Sequence, residues 1–169
     1  MSREYKEEIV QYLQDNFPNA ISGSEDAFDV PPIEIQPNSV HEVLQFLKND
    51  QRYAINFLTL LGAVHYPDEK GRELAIVYHL HSWTKNIRIR LKTFLPIETP
   101  NVRSVTDLFT CADWMERETY DFYGVIFDGH KNLKRILNED SMDYFPMRKE
   151  YQLEDATRED KDDRFFGRV

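Results

Sequence analysis

The stretch RELAIVYHLHSWTKNIRIRLKTFL, residues 72–95, decides the fold. Apolar residues fall at every second position in both of its halves, at Leu74, Ile76, Tyr78 and Leu80 and then at Ile87, Ile89 and Leu91. This period of two is typical of a strand that is buried on one face, and WTKN between the halves supplies a turn. The stretch therefore predicts a β-hairpin. Because Arg88, Arg90 and Lys92 alternate with the second apolar set, we expect them to face outward.

The segments before the hairpin extend it into a helix-covered sheet. YAINFLTLLGAVHYP, residues 53–67, is an apolar run with β-branched and aromatic residues, which predicts a third strand in an antiparallel meander. NSVHEVLQFLKND, residues 38–50, has helical spacing, and Ser39 with Glu42 predicts a capping box at its start. We expect this helix to pack on the sheet.

The N-terminal region adds a helix and an extended segment. The residues from Ser2 to the sequence NFPN repeat apolar positions at helical spacing. AFDVPPIEIQP, residues 27–37, contains prolines, which cannot donate to a strand ladder. We therefore expect an edge strand there.

The pattern changes at Gly124. Ser104 with Asp107 predicts a second capping box, and a helix is expected to run from Asp113 to near Gly124. Beyond this helix, residues 127–169 contain turn residues and scattered apolar anchors but no sustained period. Segments of this kind are often held by a partner.

The patterns together predict an α+β fold. We expect a mainly antiparallel or mixed sheet with helices packed on one face, followed by an irregular extended C-terminal segment. Residues 1–151 are expected to form a single domain, and residues 152–169 a charged tail that wraps a partner. Phe165 and Phe166 are the expected anchors of that tail.

Composition excludes several classes of protein. The chain has 169 residues and a net charge of −9, which opposes binding to nucleic acid unless the bases are segregated. Cys111 is the single cysteine, so these residues cannot supply the thiolates of a disulfide framework, an iron–sulfur cluster or a structural zinc site. The glycines form no phosphate-binding loop. MSREYKEEIV lacks the features of a signal peptide, and the apolar runs are shorter than the ~20 residues that span a bilayer, so we expect contact with a membrane only through a partner.

Three side chains on the helix at 113–123 form the main candidate cluster. Arg117, Glu118 and Asp121 share one side of this helix at spacings of three and four. They are compatible with a catalytic acid pair, with an exposed ion ladder or with a partly buried network. Arg117 is placed to neutralise the two acids, which favours the last two interpretations over catalysis.

Two other patterns suggest weaker hypotheses. His79 and His81 lie two apart on one strand face, a spacing that metals use, but no further ligand completes the set. RIRLKTF at 88–94 and HKNLKRIL at 130–137 combine bases with apolar or aromatic residues, which is compatible with RNA binding. No RNA-binding signature accompanies them.

The sequence ERETYDFYGVIFDGHKNLKRIL at 116–137 carries a family signature. Its matching positions are Glu116, Arg117, Glu118, Asp121, Phe122, Tyr123, His130, Lys134, Ile136 and Leu137. The chain thereby resembles the C-subunit family of respiratory NADH:quinone oxidoreductase (complex I), also known as the C or J component of NADH dehydrogenase. VYHLHS, SVTDLF and DYFPMRKEY also resemble stretches of that family.

The resemblance implies a subunit of the peripheral arm of that complex, with no catalytic group, metal or cofactor of its own. Flavin, iron–sulfur clusters and quinone would lie in partner subunits, chiefly the quinone-site (D) component and the cluster-bearing (B and I) components. The complex would lie on the cytoplasmic side of the inner membrane, which this chain would reach only indirectly, and no nucleic acid would bind. The residues expected to dock partners or to order the interface are Glu116, Arg117, Glu118, Asp121, His130, Lys134, Arg135, Arg148 and Lys149.

Two rival functions stay open at this point. A related membrane-bound hydrogenase, or a ferredoxin- or F420-linked complex, would use a similar subunit, because the electron donor is chosen elsewhere. A free-standing RNA-binding module belongs to a different class. Co-purification with large flavin- and cluster-bearing subunits, or with RNA, distinguishes them.

Overall fold

The computed structural model describes residues 3–24 and 30–151. In chain order the elements are α1 (Arg3–Asn16), β1 (Ile21–Ser24), β2 (Pro32–Ile35), a 3-10 turn (Pro37–Ser39), α2 (Val40–Asn49), β3 (Phe57–His65), β4 (Leu74–Ser82), β5 (Ile87–Leu95), β6 (Asn101–Arg103), α3 (Ala112–Tyr123) and β7 (Ile126–Asp128). The predicted tail at 152–169, with Phe165 and Phe166, lies outside the described residues.

The main sheet has five strands in the order β1-β2-β5-β4-β3. β3, β4 and β5 form the predicted antiparallel meander, in which Leu58 lies opposite Leu80 and Tyr78 opposite Leu91. A register shift between Leu58 and Leu60 bends β3 at the edge of the sheet. β6 and β7 form a separate parallel pair.

The hydrophobic core lies between one face of the sheet and the helices. The apolar set predicted for residues 72–95 points into it, and Tyr78 is fully buried. Ile9 and Leu13 of α1, Leu44 of α2 and Ala112 of α3 pack against the same face. The predicted α+β fold with a mixed sheet and helices on one face is therefore confirmed.

The prediction of an edge strand at 27–37 is wrong. β2 lies inside the sheet, antiparallel to β1 and parallel to β5. Pro32 is the first residue of β2, where a missing N–H is tolerated even in an interior strand. A parallel partner far along the chain leaves no local pattern in the sequence, so β1 was not predicted and β2 was misplaced.

Neither predicted capping box forms. Ser39 ends the 3-10 turn, and its side chain makes no cap hydrogen bond to α2. Residues 104–111 form turns rather than a helix. There the Ser104 hydroxyl donates to Glu116 (2.7 Å), while the Asp107 carboxylate contacts Nε2 of His41 (2.9 Å), so both side chains join separate parts of the chain.

The outward face of β5 is only partly as predicted. Arg88 is exposed and Arg90 is partly exposed. Lys92 is buried, because its ammonium group lies between the rings of Tyr66 (5.0 Å) and Phe94 (4.6 Å) on the side of the sheet away from the helices. Long side chains therefore cover this end of the open sheet face.

None of the helices in the described part of the chain is long and apolar enough to cross a membrane.

Candidate docking site around helix α3

Helix α3 ends at a glycine that allows the following segment to return against it. Gly124 is left-handed, with φ of 78°, and its N–H donates to the carbonyl of Tyr120 (2.8 Å). A Cβ atom at this position would lie 2.5 Å from the Phe145 ring and 2.7 Å from Nη2 of Arg148. The conformation and the close approach both require glycine here.

Asp121 organises the segment that follows β7. Its carboxylate is fully buried, and Oδ2 accepts hydrogen bonds from three successive backbone N–H groups, at Ile136 (3.0 Å), Leu137 (2.8 Å) and Asn138 (3.0 Å). Oδ1 accepts from Arg135 Nη1 (2.8 Å) and Asn138 Nδ2 (3.0 Å). One carboxylate on α3 thus satisfies three backbone N–H groups that belong to neither a helix nor a strand.

Arg135 binds the Asp121 carboxylate and, at the same time, a later part of the chain. While Nη1 donates to Asp121, Nη2 donates to the carbonyls of Met142 and Tyr144, each at 2.9 Å. The guanidinium also lies over the ring of Phe145 (5.1 Å). Its planar fork therefore ties residues 142–145 to the helix, which a lysine ammonium could not do in the same geometry.

The hydrogen bonds decide the charge of Asp121. Burial alone would raise the pKa of a carboxyl, but bonds from Asn138, Leu137 and Arg135 favour the charged form and hold the pKa of Asp121 well below its ordinary value. The carboxylate is thus ionised at neutral pH and compensates the largely buried Arg135.

Glu116 is the second buried acid of α3, and its environment is different. Its carboxyl accepts from the N–H of Val105 (2.7 Å) and from the Ser104 hydroxyl (2.7 Å), which fixes the 104–105 turn to the helix. Burial, only partly opposed by these two bonds, raises the pKa of Glu116 to about 7. Two acids five positions apart on one helix therefore have opposite shifts, because the Asp121 carboxylate accepts five hydrogen bonds, one of them from the cationic Arg135, whereas the Glu116 carboxyl accepts two.

His130 holds the beginning of the irregular segment. Its side chain is fully buried, and Nε2 donates to the carbonyl of Asp113 (3.2 Å), whose carboxylate lies 3.3 Å away. Nδ1 accepts from the N–H of Asn132 (3.0 Å), which requires a neutral ring protonated on Nε2. The His130 side chain thus stabilises the fold from inside and is not exposed for contact with a partner.

Arg117 and Glu118 do not pair as the buried-network interpretation of the sequence required. Arg117 Nε donates to the carbonyl of Lys134 (3.3 Å), and its guanidinium lies over the Trp114 ring (4.8 Å). Glu118 is exposed. The buried network exists, but it connects Asp121 to Arg135 instead, because Asp121 turns inward while Glu118 points to solvent.

The end of the described chain folds back onto the same helix. Arg148 Nε donates to the carbonyl of Tyr123 (2.8 Å), and its guanidinium lies over Phe145 (4.7 Å). The N–H of Lys149 donates to Nδ1 of His65 at the end of β3 (2.9 Å), while its side chain is exposed. Residues 129–151, an irregular segment, are therefore fixed at both ends.

Several apolar and basic side chains of α3 and of the irregular segment are exposed. Trp114 is 62% exposed, Leu137 64% and Met147 45%. Lys134 and Lys149 are also exposed, and along the chain they lie within three residues of Leu137 and Met147. We call this set, Trp114, Lys134, Leu137, Met147 and Lys149, the α3 rim.

The nine predicted site residues divide into two groups. Asp121, His130, Arg135 and Arg148 order the irregular segment from inside, and Glu116, also buried, fixes the 104–105 turn to the helix. Glu118, Lys134 and Lys149 are exposed, and Arg117 lies between the groups. Sequence reasoning missed Trp114, Leu137 and Met147 as rim residues. Each of them is a large apolar residue next to a turn or on the polar side of a helix, and this placement is the sequence signal that could have identified it as exposed.

The described residues contain no group of three or more His, Cys, Asp or Glu side chains that could hold a metal ion. His79 and His81 lie opposite Arg90 and Arg88 of the neighbouring strand β5.

Comparisons with known proteins agree with the signature. Residues 33–157 match the model of the family described as the respiratory-chain NADH dehydrogenase, 30 Kd subunit. A protein of Mesorhizobium japonicum, named as the C component of NADH-quinone oxidoreductase, is 39% identical over 147 residues, which cover 86% of this chain and 72% of the relative. A protein of the same name from a Nocardioides species is 49% identical over 111 residues, covering 66% and 44%.

Two solved structures share the fold. One, described as Nqo5 of a trypsin-resistant fragment, has a TM-score of 0.61 and 25% identity, and the match covers 75% of this chain and 98% of that one. The other belongs to a membrane-bound sulfane sulfur reductase, an archaeal respiratory membrane complex, with a TM-score of 0.71, 23% identity and coverage of 88% and 86%.

The matched part of the chain spans about half the length of several curated relatives, such as 44% of the Nocardioides protein and 52% of a Mycolicibacterium paratuberculosis protein. The family match nevertheless includes the whole signature at 116–137 and all of the strands from β3 to β7. The chain belongs to the family of the respiratory-chain NADH dehydrogenase 30 Kd subunit.

Proposed function

We propose that this chain is a scaffold subunit, without a cofactor of its own, in the peripheral arm of a proton-translocating NADH:quinone oxidoreductase, where it docks the quinone-site subunit. The observation that supports this proposal is the irregular segment at 129–151. It has no strand or helix beyond residue 128, yet the buried Asp121–Arg135 pair fixes it on α3 and leaves Leu137 and Met147 exposed.

A surface of this kind suits protein association. Interface energy concentrates in a few apolar, aromatic or arginine positions, and the α3 rim offers Trp114 beside Arg117. Because internal hydrogen bonds already order the segment, binding costs less conformational entropy. Lys134 and Lys149 add positive charge for approach to an acidic partner surface.

The redox chemistry is assigned to other subunits. Cys111 is the only thiol in the sequence, so a four-thiolate cluster cannot be built from it. Flavin, iron–sulfur clusters and quinone would be held by partners, including the quinone-site (D) component and the cluster-bearing (B and I) components. The chain would lie on the cytoplasmic side of the inner membrane and contact the membrane only through these partners.

A second candidate is the equivalent subunit of a related respiratory complex. The fold likeness to a chain of the sulfane sulfur reductase complex supports it, since it indicates that this architecture also serves a complex with another name. A hydrogenase or a ferredoxin- or F420-linked complex would use the same docking surface with a different electron donor.

The test uses the intact complex purified from cells that carry variants of this chain. Leu137→Ala and Lys134→Ala change the α3 rim, and Lys70→Ala, an exposed change in the β3–β4 turn, is the matched control. We expect the rim variants to reduce recovery of the chain with the complex several-fold, while the NADH:quinone reductase rate per assembled complex stays normal. Normal assembly with a lost rate would instead indicate chemistry in this chain and overturn the scaffold role.

A further inference from the structure

The helices cover one face of the main sheet, and the other face carries a groove. About 660 Å³ in volume, it lies where β3 begins, beside the β4–β5 turn. We call it the sheet groove, and its principal lining residues are Phe57, His79, His81, Trp83, Arg88 and Arg90. It is separated from α3 by the thickness of the sheet, so it is not part of the α3 rim.

The aromatic end of the sheet groove is preformed. Trp83 is 66% exposed, and its ring contacts His81 (5.0 Å between centroids) and Phe57 (5.8 Å, edge-on). Its backbone N–H donates to Asn56 Oδ1 (3.1 Å), and the N–H of Asn56 donates to the carbonyl of His81 (3.3 Å). The indole is thus held in place before any ligand arrives, which lowers the cost of using it as an anchor.

The other wall of the sheet groove is basic. Arg88 and Arg90 lie opposite His81 and His79 on adjacent strands, and no Asp or Glu is among the described residues that line the groove. In a chain with 30 acids and 21 bases, a groove whose described lining residues include bases and no acid is a local reversal of charge.

At the far end of the same sheet face, two basic side chains have partners within the chain. There Arg72 donates to Glu34 (2.9 Å), and Lys92 lies between two aromatic rings. In the sheet groove, by contrast, Nε2 of His81 is buried and has no hydrogen-bond partner among the described residues. A buried polar atom without a partner is costly, and an incoming carboxylate would satisfy it when that nitrogen carries the proton.

We propose that the sheet groove binds an extended acidic segment of a partner protein, with one aromatic or aliphatic side chain packed against Trp83 and Phe57 and carboxylates placed at Arg88 and His81. This inference rests on the proposed assembly role and deepens it, since it adds a second contact surface and the chemistry of what covers it. A short acidic segment interacts mainly with the local bases. A nucleic acid, which extends beyond the groove, also interacts with the net charge of −9, so the charges favour a polypeptide over RNA.

The first experiment measures binding by the full chain with Trp114→Phe, so that Trp83 is its only tryptophan. The probe is a synthetic 12-residue peptide with four glutamates around one phenylalanine, and the comparison ligands are the same peptide with lysines for glutamates and a uridine oligonucleotide. We expect the acidic peptide alone to change the fluorescence, and Arg88→Ala to weaken its binding roughly tenfold. Lys85→Ala, an exposed change in the same turn outside the groove, is the control and should change binding less than about twofold.

The second experiment identifies the natural occupant in the purified complex. A photo-reactive benzophenone side chain is placed at position 59, whose threonine is exposed and lines the groove. We expect a cross-link to an acid-rich segment of another subunit. Cross-links only to RNA, to residues 152–169 of the same chain or to a second copy would overturn the inference, as would an intact complex without any cross-link. A chain that enters no complex would overturn the proposed function itself.

Discussion

Nη1 of Arg135 lies 2.8 Å from Oδ1 of Asp121, and the two side chains are 8% and 0% exposed. This pair joins the last turn of α3 to a segment 14 residues later that has no regular structure of its own. A buried ion pair is strongly destabilising when one partner is removed, because the other charge stays buried. The pair therefore holds the middle of residues 129–151 on the helix, while His130 and Arg148 hold its ends.

Asp121→Asn should lower the free energy of unfolding by about 3–5 kcal/mol, because Arg135 loses its counter-charge and an amide NH2 group faces backbone donors. Glu118→Gln on the same helix is the matched control. It should cost less than about 1 kcal/mol because Glu118 is exposed. Urea unfolding of both variants measures the difference, and equal costs would show that the pair is not structural.

Arg135→Lys should separate the two functions of the guanidinium. Lysine keeps a charge near Asp121 but cannot also reach the carbonyls of Met142 and Tyr144 with a fixed fork. We expect a loss of about 1–3 kcal/mol. Amide hydrogen exchange should become faster for residues 139–147, with β3–β5 unchanged. Uniformly faster exchange across the sheet would contradict this local role.

Glu116 should make stability fall as pH rises. Its folded-state pKa is raised above its ordinary value, so the folded state binds the proton more tightly, and the full benefit exists below the unfolded pKa. Between the ordinary value of 4.5 and about 7 the contribution decreases by on the order of 3 kcal/mol. Glu116→Gln, a neutral isostere, should match the parent chain near pH 4.5 and exceed it above pH 7. Parallel pH profiles of the two chains would refute the assignment.

Asp121 should make the free energy of unfolding fall as the pH is lowered. Its folded-state pKa is depressed, so its contribution is complete above the unfolded value of 3.8 and is lost as pH falls below it. The free energy of unfolding should therefore fall more steeply in acid in Glu118→Gln than in Asp121→Asn, which has already lost this contribution. Urea unfolding at a series of pH values below about 5 measures both slopes. Equal slopes would show that another group controls stability in acid.

Gly124→Ala and Gly129→Ala should differ although both glycines have a positive φ, of 78° and 88°. A left-handed residue with a side chain costs about 1–2 kcal/mol at either position. At Gly124 the new methyl would also displace Phe145, whereas at Gly129 it meets open space. Thermal unfolding should show the larger loss at Gly124, and equal losses would mean that Phe145 yields without cost.

The features predicted from the sequence are those with a local period or a local turn. The alternation in residues 72–95 predicted β4 and β5 and their core face, and Gly124 marked the end of α3. The position of β2 could not be predicted in this way, because its parallel partner β5 is set by packing and not by the turn residues around Pro32.

The sequence identified residues of the site but not the hydrogen bonds that they make. The signature included Asp121, and Arg135 was among the expected docking residues, yet the three N–H groups that Asp121 satisfies belong to backbone and have no side-chain signal. The contacts of Glu116 could not be predicted, because its partners, Val105 and Ser104, lie in a turn that the sequence suggested was helical. Tertiary contacts thus decide the burial of both Asp121 and Glu116.

The parallel pairing of β2 with β5 has a consequence for synthesis of the chain. Residues 1–36 leave the ribosome well before β5 exists, so β2 can pair only with β1 until β5 is made, and long-range pairings of this kind slow folding. Until β2 arrives, the meander β3–β5 presents β5 as a bare edge with unsatisfied backbone groups. Deleting the N-terminal segment should therefore yield chains that aggregate edge to edge during expression, rather than a smaller soluble domain.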